Sequence, residues 1–232
     1  MPKSRRKAGK NIRGLAINRR IDAIISFGFA GMLLCSPLFV KALENYIKQI
    51  PSLNLSQAKF SLNFPPIIYV PIVILALLVI AKGVFLWKRA NHADQGAKGE
   101  EDTAQEISQL EKEGWQVEFN LQLGNRLGDV DIICISPLNK AYSIDVKSHR
   151  GEVVTDGQQL YRRWGKENNS FEKNFLEQAM KQALQVKKQK NLSFVTPIVA
   201  FSKAKVSISS NKVQKVYVVE KSKLVTLLKS LG

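Results

Sequence analysis

Cysteine is scarce: Cys35 and Cys134 are the only two in 232 residues. Cys35 falls in an apolar run and Cys134 in a β-rich one, and neither has a neighbour at zinc-ligand spacing. The pattern argues against a disulfide framework and fits a reducing compartment, with both residues read as small buried apolar groups. Histidine is limited to His92 and His149, each isolated in sequence. His149 reads as a surface residue, with a metal or general-base role as the alternative. Acidic residues are also short, 19 against 35 Lys and Arg, which leaves a formal charge of +16. That excess favours a polyanionic partner, nucleic acid or anionic lipid headgroups, without choosing between them. No internal repeat or low-complexity tract is present. Hydrophobic residues make up 45% of the chain, which excludes a disordered protein by composition.

What the chain does have is two long apolar runs, over residues 21–40 and 67–86. Each has the length that crosses a bilayer core as a helix, about 20 residues. The second is the cleaner: Lys82 is its one charge, near an end where the stem can snorkel, and Trp87 follows at headgroup depth. The first is edged by Asp22 and interrupted by Gly28, Gly31 and Pro37, and its alternative reading is a signal peptide. Basic residues flank the pair on the outer sides: Lys3, Arg5, Arg6, Lys7, Lys10, Arg13, Arg19 and Arg20 before, Lys88 and Arg89 after. The segment between carries Lys41, Lys48 and Lys59. The bias predicts a transmembrane hairpin with both termini cytoplasmic. The organisation expected is a basic tail (1–20), the hairpin (21–90) and a cytoplasmic domain (91–232). The tail reads as a topology signal touching anionic lipid, with nucleic-acid binding as the alternative.

Beyond the second run, residues 91–99 read as a linker of small and polar residues. Residues 100–113 read as a helix ending at Gly114. Residues 115–121 form a strand on which Val117, Phe119 and Leu121 alternate with polar residues. Two β-rich runs, 129–136 and 141–147, flank Pro137, Leu138, Asn139 and Lys140, the pattern of a hairpin. Residues 153–163 are ambiguous. A helix over 174–190 carries Phe175, Ala179, Ala183 and Val186 on one face. Strands follow over 196–201 and 216–219, and a helix over 221–231. This order predicts an α/β fold with a mixed sheet flanked by helices.

If the hairpin turn is centred near Leu138, Asp131 lies opposite Asp145, and Lys147 shares their face two residues on. Val130, Ile132, Cys134, Tyr142, Ile144 and Val146 then form the other, buried face. A one-residue slip would undo this. Opposed carboxylates repel unless one is protonated or a cation joins them. A hard divalent cation with oxygen ligands fits, and so does a solvated Asp131–Lys147–Asp145 ion cluster. Glu100 lies on the stripe of Ala104 and Ile107, either as a partner of the helix dipole or aimed into a site.

The ordered set of Gly96-Ala97-Lys98-Gly99-Glu100, Gly114-Trp115-Gln116-Val117, Gly128-Asp129-Val130-Asp131-Ile132-Ile133, Tyr142-Ser143-Ile144-Asp145-Val146-Lys147-Ser148 with Gly151, and Asn174-Phe175-Leu176-Glu177-Gln178-Ala179 resembles the NERD (nuclease-related) domain, a branch of the PD-(D/E)XK nuclease superfamily. The resemblance runs from about residue 96 to 190. It implies a restriction-endonuclease-like fold and a Mg²⁺- or Mn²⁺-dependent nuclease. It also implies that Glu100, Asp131, Asp145, Lys147 and Gln178 occupy site positions. Asp131, Asp145 and Glu100 would hold the metal, with the Val146 carbonyl as a further ligand. Lys147 would orient the attacking water, and Gln178 would position it or contact a phosphate. Asp145 stands where the family more often has Glu, and Asp131 is preferred to Asp129 because it immediately precedes Ile132-Ile133.

Arg150, Arg162, Arg163, Trp164 and Lys166 mix basic groups with an aromatic one and suit contacts to phosphates and bases. Lys187, Lys188 and Lys190 suit phosphate equally well as the solvated end of a helix. The expectation is a membrane-anchored, metal-dependent nuclease acting on DNA rather than RNA. The rivals are a non-catalytic nucleic-acid-binding module on the same fold and a scaffold whose basic surface meets only lipid.

Overall fold

The computed structural model describes residues 8–49, 65–124 and 128–232. Lys3, Arg5, Arg6 and Lys7 of the tail, and most of the expected outer loop with Lys59, lie outside the described residues. Contacts divide the chain into two units: Gly14–Ala93, and Met1–Arg13 with Asp94–Gly232.

The first unit is helical. It takes most of α1 (Lys10–Lys48) and the first part of α2 (Tyr69–Ile107), which follows a short 3₁₀ turn, Pro66–Ile68. Both are long and apolar enough to cross a membrane. The buried residues within α1 are small, Ala16, Ala23, Ser26 and Ala30. Ile25, Phe29, Met32, Leu38, Leu78 and Phe85 are exposed. Two expectations change here. Gly28, Gly31 and Pro37 do not break α1, which runs through all three. Residues 91–99 are helix, not linker. Ala93, Gln95, Ala97 and Lys98 favour a helix and no proline interrupts it, so α2 continues through Gly96 and Gly99 despite their poor propensity.

The second unit is a mixed α/β domain. After α2 a 3₁₀ segment, Ser108–Glu113, ends at Gly114, and β1 (Gln116–Gln122) begins. β2 (Asp129–Ile135) and β3 (Ala141–Thr155) form the expected hairpin. β4 (Leu160–Trp164) and β5 (Glu167–Ser170) form a second one. Then come α3 (Phe175–Gln189), β6 (Val195–Val206), β7 (Lys212–Val213), β8 (Val216–Glu220) and α4 (Lys221–Leu231). The eight-stranded sheet runs β1-β2-β3-β6-β8-β7, with β4 on β3 and β5 on β4. β3, β6 and β8 are parallel, and the remaining pairs antiparallel.

The core lies on both faces of this sheet. On one, Val117, Ile132, Cys134, Tyr142 and Ile144 pack with Ile107 at the end of α2, Leu110 of the 3₁₀ segment, and Leu224 and Leu228 of α4. On the other, α3 contributes Phe175, Leu176 and Ala179 against Val199 and Phe201, and Ala183 and Val186 against Val130 and Ile133. Two side chains thus leave their expected face: Leu121 and Val130 pack with the α3 cluster. Asn120 supplies the reason. Its φ of 51° is left-handed, and it falls between the Phe119–Ile132 and Leu121–Val130 pairs. The strand turns over at that point, and the period-2 alternation shifts with it.

β3 is longer than the sequence reading had it, because residues 148–155 continue past an irregularity between Lys147 and Arg150 to pair with β4. The ambiguous stretch 153–163 is therefore the end of β3, a turn and β4. Ile144 is fully buried beside the Asp145 position, whereas Leu138 at the hairpin tip is 70% exposed. Ile144→Ala should cost about 2–5 kcal/mol through transfer and cavity terms. Leu138→Ala should stay within about 0.5 kcal/mol. Denaturant unfolding of the two variants checks the contrast.

Candidate functional site

The β2–β3 register decides whether the acidic groups meet. Ile132 pairs with Ile144 and Ile135 with Ala141, the register expected from a turn centred near Leu138. One residue further, Asp131 comes opposite Asp145. There the regular pairing ends, and the Asp131 side chain takes over: its Oδ2 accepts from the Val146 backbone N–H at 2.6 Å. Asp145 is buried, and its Oδ2 lies 2.6 Å from Lys147 Nζ, yet it accepts no well-aligned hydrogen bond. Lys147 Nζ also stands 4.7 Å above the centre of the Phe175 ring, so one ammonium is held between a carboxylate and an aromatic face.

Glu100 arrives from α2, and Gly99 permits its approach. A Cβ at Gly99 would lie 2.7 Å from Ser202 Oγ on β6 and 3.3 Å from Ser148 Cβ on β3, so only a bare backbone lets the helix come this close. Thr103 fastens the same turn by donating its hydroxyl to the Gly99 carbonyl at 2.6 Å. Glu100 is 4% exposed and accepts from the Gly9 N–H at 3.1 Å.

The charges of these groups act on one another. Burial pushes Glu100 up to about 7, opposed by the Gly9 hydrogen bond and assisted by Asp145. Burial, then the Asp145 and Glu100 charges, hold Asp131 well above the usual carboxylate range. Asp145 is also raised by burial, with Lys147 and Lys173 pulling it back. Three carboxylates thus share one field, relieved chiefly by Lys147. Among the described residues, no three His, Cys, Asp or Glu side chains are grouped closely enough to hold an ion as they stand.

The remaining residues spread around this centre. Gln178 is half-buried in the first part of α3, whose cap is Asn174, accepting from Glu177 N at 3.2 Å. Arg162 lies 6.0 Å from the centre of the Trp164 ring, which is 65% exposed. Arg150 and Lys166 are exposed, while Arg163 turns to Glu152 at 3.6 Å and Asn168 at 3.2 Å. Lys190 pairs with Glu118. His149 is not the surface residue expected. It is half-buried against Phe171 and Phe175, at ring distances of 5.0 and 5.5 Å, and burial lowers its pKa with help from Lys147 and Arg162. The isolated position of His149 in sequence gave no sign of those aromatic neighbours.

Two contributions escaped sequence reasoning altogether. Gln182 is 2% exposed and donates to the Asp129 carbonyl at 3.0 Å, tying α3 to the start of β2. Its place on the stripe of Ala179, Ala183 and Val186 was a readable signal of an inward polar group. The second is the segment before α1: Gly9 reaches Glu100, and Asn11 Nδ2 donates to Asp129 Oδ2 at 3.0 Å. No local pattern signals contacts 91 and 118 residues apart.

Residues 95–202 match the family model of the NERD, nuclease-related, domain. These residues form a NERD domain. The match takes in Glu100, both hairpin carboxylates, Lys147 and the β4–β5 hairpin, and ends on β6. No curated protein matches the chain, and no solved structure matches it.

The raised carboxylates give the NERD domain a definite pH response. A folded-state pKa above the unfolded value means that the folded state binds more protons between the two, so stability falls as pH rises through that window. For Glu100 the window runs from 4.5 to about 7. Glu100→Gln keeps an acceptor for Gly9 and removes the charge. It should raise stability at pH 8 by on the order of 3 kcal/mol in the absence of divalent cation and flatten the decline from pH 4.5 to 7. Melting of the full chain in EDTA across pH checks this, and an unchanged slope would count against a buried, charged Glu100.

Proposed function

We propose that the chain is a membrane-anchored nuclease that hydrolyses phosphodiester bonds of DNA with Mg²⁺ or Mn²⁺, on a restriction-endonuclease-like domain. The observation that carries this reading is that Glu100, Asp131 and Asp145 act on one another's charge beside Lys147, inside a nuclease-related domain. The chemistry of the donor set suits a hard cation: three carboxylates with raised proton affinity, which would have to close on the ion and draw Asp145 Oδ2 from Lys147. Asp131, Asp145 and Glu100 would hold the ion, with the Val146 carbonyl as a further ligand. When bound, it would polarise a phosphate oxygen and lower the pKa of a coordinated water.

The protein's own groups do the rest. The Lys147 ammonium offsets negative charge developing on the attacked phosphate, and Phe175 keeps it over the site. Gln178 contacts the attacking water or a phosphate oxygen. Exposed Trp164 stacks on a base while Arg150, Arg162 and Lys166 meet phosphates. Arg163, engaged by Glu152 and Asn168, shapes the hairpin rather than reaching outward.

The two apolar helices support anchoring, because their large side chains face outward instead of filling a core. The Lys and Arg bias at their flanks supports cytoplasmic termini and a cytoplasmic nuclease domain. A second reading, nucleic-acid binding without cleavage, draws on the direct Lys147–Asp145 pair and the open spacing of the acidic groups.

Detergent-solubilised full chain should cleave DNA in Mg²⁺, and Asp145→Ala or Lys147→Ala should lower kcat by about 10²–10³-fold. Salt-sensitive binding with no cleavage in any divalent cation would favour the second reading. Trp164→Ala should weaken DNA binding by about 1–3 kcal/mol with kcat retained. Fluorescence anisotropy measures the first quantity and single-turnover cleavage the second.

A further inference from the structure

The described residues just before and at the start of α1 contact the acidic side of the NERD domain at three points. The Gly9 N–H donates to buried Glu100 Oε2 at 3.1 Å, and the Gly9 carbonyl accepts from Arg13 N at 2.9 Å to start α1. Asn11 Nδ2 donates to Asp129 Oδ2 at 3.0 Å. Arg13 makes a two-pronged contact with Glu101, Nε to Oε1 at 3.0 Å and Nη2 to Oε2 at 2.5 Å.

The fit at Gly9 is tight. Its φ is +71°, and a Cβ there would lie 2.9 Å from the Ala97 carbonyl oxygen and 3.1 Å from Glu101 Cγ. No other residue type brings its amide to Glu100 without displacing the backbone. A tail serving only to meet lipid headgroups would need none of this.

We propose that Gly9 and Arg13 are positioning residues for the catalytic centre, with the Gly9 amide fixing the Glu100 carboxylate and the Arg13–Glu101 fork fixing Gly9. The inference rests on the nuclease reading above. The amide engages Oε2 and leaves Oε1 to the site, so Glu100 is held in one orientation. Arg13 and Glu101 are themselves well exposed, with side chains 57% and 36% accessible. An exposed pair contributes little to stability, about 0–1 kcal/mol, but a forked guanidinium–carboxylate contact sets geometry. The site is therefore incomplete without a segment that lies outside residues 95–202.

The test uses full chain in detergent, with Mn²⁺ as the probe, read by electron paramagnetic resonance alongside melting and DNA cleavage. Gly9→Ala should weaken Mn²⁺ binding by about 10–100-fold, the usual effect of removing a group that orients a ligand, and lower kcat, together with a fall in melting temperature from its strained backbone, whereas Arg13→Glu should leave melting nearly unchanged. Arg13→Glu should act in the same direction, and combining it with Glu101→Arg should restore Mn²⁺ affinity. If Gly9→Ala does not fold, the Arg13→Glu and Arg13→Glu/Glu101→Arg comparison carries the test. Wild-type Mn²⁺ affinity in both Gly9→Ala and Arg13→Glu overturns the positioning role while leaving the nuclease reading standing. A wild-type chain that neither takes Mn²⁺ nor cleaves DNA overturns both.

Discussion

The arrangement of this domain turns on the burial of like charges. Glu100 and Asp145 are each 4% exposed, and Asp131 joins them in one field with Lys147 as the principal counter-charge. Two unit charges 4 Å apart at an effective dielectric of about 20 interact by about 4 kcal/mol, and each buried ion adds a desolvation penalty of several kcal/mol. A single ammonium does not balance three carboxylates. The imbalance is met by raised proton affinity in the structure as it stands. The surrounding structure resists relaxation of the strained set. Gly99 brings α2 against β3 and β6, the Asp131 side chain caps the Val146 N–H, and Gln182 ties the start of β2 to α3.

Much of this was legible from residue types and spacing. The hairpin register, Ile132 with Ile144 through Ile135 with Ala141, followed from the placement of Pro137, Leu138, Asn139 and Lys140 between two β-rich runs. Glu100 was readable as inward-facing because Ala104 and Ile107 share its stripe. The helix over 174–190 and the final helix stand close to their expected bounds, since both combine strong periodicity with clear ends. What failed did so where one backbone angle or one distant contact overrode the local pattern. Asn120, with φ 51°, shifts the alternation of β1, which no periodicity argument can foresee. The 91–99 stretch looked like a linker because it is small and polar, yet α2 runs through it, with Gly99 packed against β3 and β6 where local propensity gave no sign of a helix. His149 was misread because its partners, Phe171 and Phe175, lie in another part of the chain.

The long strand β3 joins the acidic cluster to the basic and aromatic β4–β5 hairpin. Its first half carries Asp145 and Lys147 between β2 and β6, and its second half carries the β4–β5 hairpin. The irregularity between Lys147 and Arg150 falls at the junction of the two halves. Contacts are continuous across it. Lys147 lies over Phe175, Phe175 stacks beside His149, and His149 feels the charge of Arg162, which adjoins Trp164. A polyanion drawn to the hairpin thus meets cationic and aromatic groups that lead to the one ammonium beside the carboxylates. The order of attraction follows from exposure. Arg150 and Lys166 are exposed, the kind of group that sets encounter with a polyanion, while the Lys147 side chain is only 16% exposed and is paired with Asp145. The basic excess of the chain and the two buried carboxylates, Glu100 and Asp145, thus lie in different places: cationic groups such as Arg150 and Lys166 are exposed, and these carboxylates are inside.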